Sequence, residues 1–257
     1  MNAITIGGIQ FSKAMCGTNA FYGRSHFSTA RDTEYKEHFN EQNIIKAIEC
    51  SMKWGINTVE TSANEQIENI ITSIREKNKV QLHCVGSTRI DETSAMKSHH
   101  QKLDFLIQHR AAICVIHSQF MDNSWTDHSG DQFKRMLDQI HEAGLITGIS
   151  THKVKTVEMC EKKGYSIDTY LFPLNLMGFV FPGYDGGESA QERANLVRGI
   201  SKPFILIKTL AAGRIPPDEG LHFIAENSKP NDIISLGFAS EAEINETMGF
   251  FNKFFPG

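Results

Sequence analysis

The amino-acid sequence predicts a (β/α)8 barrel, and three observations support this prediction. Short apolar runs without polar alternation recur along the chain, which is typical of strands buried on both faces of a parallel sheet. Segments in which apolar residues recur at helical spacing separate these runs. Together they form eight strand–helix units, and the length of 257 residues fits one barrel of this kind.

The predicted elements alternate regularly after an opening hairpin. The hairpin covers residues 4–12 and turns at Gly7-Gly8, and the first barrel strand follows at residues 14–18. The other strands are predicted at residues 56–61, 80–85, 112–117, 145–150, 169–173, 204–208 and 232–237. Helices are predicted at residues 44–54, 65–77, 94–110, 131–143, 154–163, 188–200, 217–227 and 241–251.

Two features of this layout need separate comment. Residues 19–40 are predicted to form a long loop, and loops of that length are usually functional or mobile. An open doubly wound sheet is the alternative architecture, but its usual GxGxxG signal after the first strand is absent from the sequence.

The composition limits the class of protein. The chain has 26 basic and 30 acidic residues, so its net charge of −4 gives no reason to expect nucleic acid or a membrane as partner. Five cysteines without a CxxC pair favour free thiols in a reducing compartment. Neither a secretory signal nor an apolar run of about 20 residues is present. We therefore expect a cytoplasmic protein that acts on a small molecule, with residues 1–257 forming one domain of undetermined oligomeric state.

Ionisable side chains follow several of the predicted strands. Glu60 comes at the end of the second strand, His117 at the end of the fourth, His152 just beyond the fifth, and Lys208 at the end of the seventh. Because the carboxyl ends of barrel strands meet at one rim, these side chains are expected to share one opening. Glu60, His117 and His152 are therefore candidate ligands of Zn²⁺, Mn²⁺ or Fe²⁺.

Structural explanations remain open beside the functional ones. Lys208 follows an apolar strand, so burial could lower its pKa for proton transfer, or it could form a structural ion pair with Glu60. His117 could be merely hydrogen-bonded, and His152 could cap the helix that follows it. The candidate substrate-binding residues are Tyr22, Arg24 and Arg31 in the long loop and Asn175 after the sixth strand. The sequence does not decide whether His83 or Cys16 faces the opening.

The order of several short motifs resembles the aldo-keto reductase superfamily along nearly the whole chain. The matching segments are Gly55-Ile56-Asn57-Thr58-Val59-Glu60-Thr61-Ser62, Val115-Ile116-His117, Gly148-Ile149-Ser150-Thr151, Leu210-Ala211-Ala212-Gly213 and Leu236-Gly237-Phe238-Ala239-Ser240. The resemblance implies that the opening hairpin closes the barrel floor. It also implies that Ser150, Gly237 and Ser240 contact a nicotinamide cofactor such as NADP.

The sequence departs from this family at the residues that carry the chemistry. The family uses a tyrosine acid assisted by lysine, aspartate and histidine. Here Glu60 takes the aspartate position, the tyrosine is missing, and Val85-Gly86-Ser87 stands where the lysine is expected. Of the four residues, His117 alone remains.

These departures lead to three hypotheses about function. The preferred one is an aldo-keto-reductase-like barrel that has left redox chemistry. It would perform metal-dependent lyase, isomerase or hydrolase chemistry on a small carbonyl- or sugar-like substrate, with Glu60, His117 and Lys208 as catalytic residues. The alternative is a divergent NAD(P)H-dependent oxidoreductase in which Lys208 or Tyr22 replaces the missing acid. The third hypothesis is a non-catalytic binding protein.

Overall fold

The structure is a computed structural model that describes residues 3–90, 94–124, 130–178 and 187–256. An antiparallel hairpin of β1 (Ala3–Ile6) and β2 (Ile9–Ser12) precedes eight parallel strands that close into a barrel. The barrel strands are β3 (Ala14–Gly17), β4 (Thr58–Thr61), β5 (His83–Thr88), β6 (Ile113–Ile116), β7 (Ile146–Ser150), β8 (Thr169–Pro173), β9 (Phe204–Ile207) and β10 (Ile233–Gly237). The predicted (β/α)8 barrel is thereby confirmed.

Helices follow the strands around the outside of the barrel. They are α2 (Glu41–Lys53), α3 (Glu65–Asn78), α4 (Ala95–Gln108), α5 (Gly130–Glu142), α6 (Val154–Lys163), α7 (Ala190–Gly199), α8 (Pro217–Asn227) and α9 (Glu241–Phe254). A further helix, α1 (Thr29–His38), lies inside the predicted 19–40 loop. Its start has a sequence signal, since the Ser28 side chain accepts a hydrogen bond from the Arg31 N–H. None of its residues is buried, so it lacks the apolar periodicity that predicts a helix.

Apolar side chains fill the lower part of the barrel interior. The interior cluster contains Met15, Val85, Ile113, Val115, Leu171, Ile205 and Ile233, together with Ile4, Ile6 and Phe11 from the hairpin. Ser12 of the hairpin is also bonded to Asn57, directly before β4, with its N–H donating to Oδ1 over 2.7 Å. The hairpin therefore closes the amino end of the barrel, as the family resemblance implies.

Neither of the two side chains whose orientation was open faces the opening at the carboxyl end. The third barrel strand begins three residues later than predicted, so His83 stands at its amino end with its ring 5.1 Å from that of Phe11. Cys16 is fully buried among the side chains that pack between strands and helices, and burial raises its pKa to about 12. A thiol held protonated in this way is a core residue and not a nucleophile.

Two further observations concern membrane-spanning helices and the state of the cysteines. No helix among the described residues is both long and apolar enough to cross a membrane. All five cysteines are free and buried.

The buried His99 of α4 makes the fold sensitive to acid. Its side chain has no exposed surface, and burial lowers its pKa from 6.5 to about 4. The unfolded chain binds this proton between these two values and the folded chain does not, so the free energy of unfolding falls as the pH drops through that range. We expect His99→Leu to remove up to about 3 kcal/mol of this loss, at about 1.4 kcal/mol per pKa unit.

Urea unfolding at pH 7 and pH 4.5 measures the effect. His222→Leu, at an exposed position of α8, is the control and should retain the acid sensitivity of the wild type. An equal loss of stability in the wild type and in His99→Leu would contradict this account.

Candidate active site

The upper layer of the barrel interior is polar. Side chains alternate between the two faces of a strand, and Val85 and Ile233 belong to the apolar interior. Ser87 and Ser235, two positions further along the same strands, therefore face the interior one layer higher, at the carboxyl end. Ser87 is buried, and its hydroxyl has no hydrogen-bond partner among the described residues. A buried unpaired hydroxyl is costly unless something satisfies it, so this layer is suited to a polar ligand.

Glu60 of β4 belongs to this layer. The Ser235 hydroxyl of β10 donates to Glu60 Oε2 over 3.1 Å, which fixes the carboxyl group across two strands. Burial raises the pKa of Glu60, while the Ser235 hydrogen bond and the charge of Lys208 lower it. The burial effect is the largest, so the carboxyl group is a weaker acid than an exposed glutamic acid.

Lys208 follows β9 in a left-handed backbone conformation, with a φ of 57°. The Asn175 side-chain amide holds this turn by donating to the Lys208 carbonyl oxygen over 3.0 Å. Burial lowers the pKa of the ammonium group, and the Glu60 charge raises it. A backbone conformation that L-residues rarely adopt is thus kept at a position whose lysine lines the same cavity as Glu60.

A cavity of about 440 Å³ leads outward from Glu60 and Lys208. Gly17 and Gly237, at the ends of β3 and β10, contribute backbone to it. Further out it is lined by Arg24, Ser25, His26, Arg31, Tyr35, Arg214, Glu243, Glu246 and Thr247, among others. The helix α1 and the first turns of α9 therefore both border the cavity.

The two candidate histidines lie at the same end of the barrel, but other groups engage them. His117 Nδ1 accepts the Gln119 N–H over 3.1 Å, and burial lowers its pKa to about 4, so the ring is neutral at pH 7. His152 Nδ1 lies 2.7 Å from Asp122 Oδ2, and the His152 N–H donates to the same carboxylate. Neither histidine is among the described residues that line the cavity.

The predicted metal site is not supported by this geometry. Within the described ranges, no three His, Cys, Asp or Glu side chains are grouped so that they could hold a metal ion. The Glu60 carboxylate accepts a hydrogen bond from Ser235. His152 Nδ1 lies at the Asp122 carboxylate, and His117 Nδ1 accepts the Gln119 N–H. Glu60 and Lys208 line one cavity, whereas His117 and His152 bond to other partners and do not line it.

The predicted binding residues fall into two groups. Arg24, Arg31, Asn175 and Gly237 line the cavity. The others do not: the Tyr22 hydroxyl is 3.1 Å from Thr61 Oγ1, Ser150 is buried in β7, and Ser240 caps α9 by accepting the Glu243 N–H. Tyr22 thus packs against the end of the second barrel strand.

Sequence reasoning missed three residues that shape the site. Ser235 interrupts the apolar run of β10, and this interruption was an available signal for a polar contact inside the barrel. Asp122 lies in an irregular helical turn, Phe120–Ser124, where no periodicity marks it. Arg214 follows a short turn after β9, and its guanidinium carbon lies 4.7 Å from the centre of the Phe27 ring.

Comparison with known proteins identifies the fold. No protein-family model and no curated protein matches the sequence. Among solved structures, an aldo/keto reductase from Brucella melitensis has a TM-score of 0.65 and 12% identity, over 98% of this chain and 93% of that one. An aldo/keto reductase from Klebsiella pneumoniae in complex with NADP and acetate has a TM-score of 0.63 and 12% identity, over 97% and 89%.

A more distant barrel enzyme is also similar. The N-acetylmannosamine-6-phosphate 2-epimerase from Clostridium perfringens has a TM-score of 0.51 and 15% identity, over 95% of this chain and 92% of that one. The two reductase structures have higher TM-scores to this chain than the epimerase does, over a comparable share of its length. This chain therefore has the fold of the aldo-keto reductases.

Proposed function

We propose that the protein is an NAD(P)H-dependent reductase of small carbonyl compounds, in which Lys208 and Glu60 replace the proton-donating group of the fold's better-known members. One observation supports this most strongly. A single cavity joins the Lys208–Glu60 pair, inside the barrel mouth, to a groove with arginines along one side. The structural likeness to reductases, one of which holds NADP, agrees with this choice over metal-dependent chemistry.

The residues that line the cavity fit a nicotinamide dinucleotide. Arg31 and Arg214 supply two guanidinium groups, which bind diphosphate oxygens well. Gly237 leaves room, since a Cβ atom built there would have no atom within 4 Å. Arg31 and Arg214 would hold the diphosphate, and Gly237 would leave space for the nicotinamide. When bound, the reduced nicotinamide supplies the hydride for the carbonyl carbon.

Lys208 supplies the proton in this proposal. Reduction of a carbonyl places negative charge on its oxygen, and an acid within reach speeds the reaction by about 10²–10⁴-fold. The lowered pKa makes the Lys208 ammonium a better donor than an exposed lysine, and Glu60 beside it stabilises the charged form. Ser235 orients Glu60, and Asn175 holds the Lys208 backbone.

Turnover measurements test the proposal. The intact protein is assayed with NADH and NADPH, by absorbance at 340 nm, against short aldehydes, 2-oxo acids and aldoses. Carbonyl-dependent oxidation of the dinucleotide is the expected result. Failure of both dinucleotides to bind, whatever the carbonyl, would disprove the proposal.

Filling the cavity at Gly237 gives a more specific prediction. We expect Gly237→Leu to weaken NADH binding by about tenfold or more, because the leucine side chain would occupy the space proposed for the nicotinamide ring. The melting temperature should change little, since the position opens into the cavity. A fluorescence titration of NADH measures the affinity. Gly249→Leu, on α9 where a Cβ atom also meets nothing within 4 Å, is the control and should bind as the wild type does.

A cofactor-independent proton transfer is the second candidate. The Glu60–Lys208 pair favours it, because two coupled groups can act as base and acid on one small carbonyl substrate. It predicts exchange of the substrate's α-hydrogen with solvent deuterium in the absence of any dinucleotide, which NMR detects. A non-catalytic binding protein would show neither exchange nor turnover.

The same proposal includes the cellular compartment and the domain organisation of the enzyme. Five free buried cysteines fit a reducing cytoplasm. Under this proposal residues 1–257 act as a single domain on a small-molecule substrate.

A further inference from the structure

The outer part of the cavity has two chemically different walls. Glu243 and Glu246, on the first two turns of α9, line one of them. Arg31 and Tyr35 of α1, with Arg214 from the turn after β9, line the other parts. A ligand that leaves the barrel mouth along this cavity therefore meets carboxylates on α9 and guanidinium groups elsewhere.

The arginines are held at the turn after β9. The guanidinium carbons of Arg31 and Arg214 each lie 4.7 Å from the centre of the Phe27 ring. Arg214 Nη1 donates to the His26 carbonyl oxygen over 3.1 Å, and Arg31 Nη1 lies 3.4 Å from the Cβ position of Gly213. Both positive charges are thus held near Phe27 and residues 211–214.

One carboxylate of the acidic wall, that of Glu243, is also fixed. Glu243 Oε2 accepts the Ala239 N–H over 2.8 Å, while the Glu243 N–H donates to Ser240 Oγ. This reciprocal pair holds the Glu243 carboxylate beside the first turn of α9. The first turns of α9 carry no lysine or arginine in the sequence, where residues 241–247 are Glu-Ala-Glu-Ile-Asn-Glu-Thr.

The chemistry of these two walls distinguishes the two nicotinamide dinucleotides. Carboxylates accept hydrogen bonds from the hydroxyl groups of an adenosine ribose, and they repel a 2′-phosphate. Arginines bind the diphosphate that both dinucleotides share. Tyr35 of α1, half-buried in the cavity lining, offers an aromatic side chain for adenine.

We infer that the site selects NADH over NADPH, with Glu243 and Glu246 accepting hydrogen bonds from the adenosine ribose. This inference rests on the proposed function, because it assumes that the cavity holds a dinucleotide. It concerns only the end of the ligand furthest from Lys208. The arrangement that competes with it is a 2′-phosphate bound by Arg31.

Titration of the intact protein with each dinucleotide at one ionic strength tests the inference. The Kd for NADH is expected to be about tenfold or more below that for NADPH, a difference of about 1.4 kcal/mol. Glu246→Gln and Glu243→Gln should each bring the Kd for NADPH closer to that for NADH, because an amide does not repel the 2′-phosphate. Glu241→Gln removes the same charge from an exposed position of the same helix that does not line the cavity, and it should leave the ratio unchanged.

The outcomes separate the inference from the function on which it rests. Equal or tighter binding of NADPH would overturn the selectivity and leave the reductase proposal standing. A ratio that changes as much in Glu241→Gln as in Glu246→Gln would also overturn it, because the effect would then come from general charge. Binding of neither dinucleotide would overturn both.

Discussion

Replacing Lys208 by methionine is expected to lower kcat/KM for carbonyl reduction by about 10²–10⁴-fold, because it removes the proton donor. Methionine keeps the length and flexibility of the side chain and removes the charge. The affinity for NADH should remain close to that of the wild type, since Arg31 and Arg214 hold the diphosphate in this account. Steady-state assays and NADH titration of the same preparation measure the two effects.

Lys208→Arg separates proton donation from positive charge. Arginine keeps the charge beside Glu60, but its pKa above 12 prevents it from releasing a proton at working pH. We expect a loss of kcat/KM of the same order as in Lys208→Met. An arginine variant with near-wild-type turnover would show that Lys208 contributes charge and not a proton.

The pH dependence of turnover adds an independent test of the pair. A protonated Lys208 is required, so the rate should fall as the pH rises through a pKa below the usual lysine value of 10.5. Glu60 raises that pKa, so Glu60→Gln should move the fall to a lower pH. An unchanged midpoint in Glu60→Gln would mean that the two groups do not interact.

A large loss of folding stability is expected from substitution of Arg193, which is fully buried on α7. Its Nη2 atom donates to the His152 carbonyl oxygen over 2.8 Å and to Glu188 Oε2 over 2.9 Å, and its guanidinium carbon lies 5.1 Å from the Phe172 ring centre. It therefore ties the end of β7 to the region before α7. We expect Arg193→Met to lower the free energy of unfolding by about 3–5 kcal/mol, because it leaves buried partners unpaired.

Urea unfolding measures this loss against a control on the same helix. Arg198 is exposed and bonds to Asn227 and Asn195, so Arg198→Met should cost about 1 kcal/mol or less. Equal losses in the two variants would show that burial of the Arg193 guanidinium does not matter to stability.

The barrel could be predicted from the sequence because its strands and helices follow strong periodic signals. Glu60, His117 and Lys208 could be placed at the carboxyl ends of their strands for the same reason, since Glu60 lies near the end of one buried strand and the other two each directly follow one. Residues in irregular segments could not be placed this way. Asp122 lies in a short helical turn, and α1 buries no residue, so neither has a pattern that a sequence can display.

The metal hypothesis is not supported, for a related reason. Residue type and rim position suggested three ligands, but a metal site also needs the ligand groups close together, and no such group of three is found among the described residues. Irregular segments set these distances, and they place Asp122 at His152 and Gln119 at His117. The sequence placed Lys208 and Glu60 at one opening; both line the cavity, and Lys208 does so from a left-handed backbone conformation directly after β9.

A crystal structure of the intact protein with NADH tests the central claim most directly. The account predicts nicotinamide density at the inner end of the cavity beside Lys208 and Glu60, the diphosphate near Arg31 and Arg214, and the adenosine against α9. Nicotinamide density away from Lys208 and Glu60, or an empty cavity at saturating NADH, would contradict it.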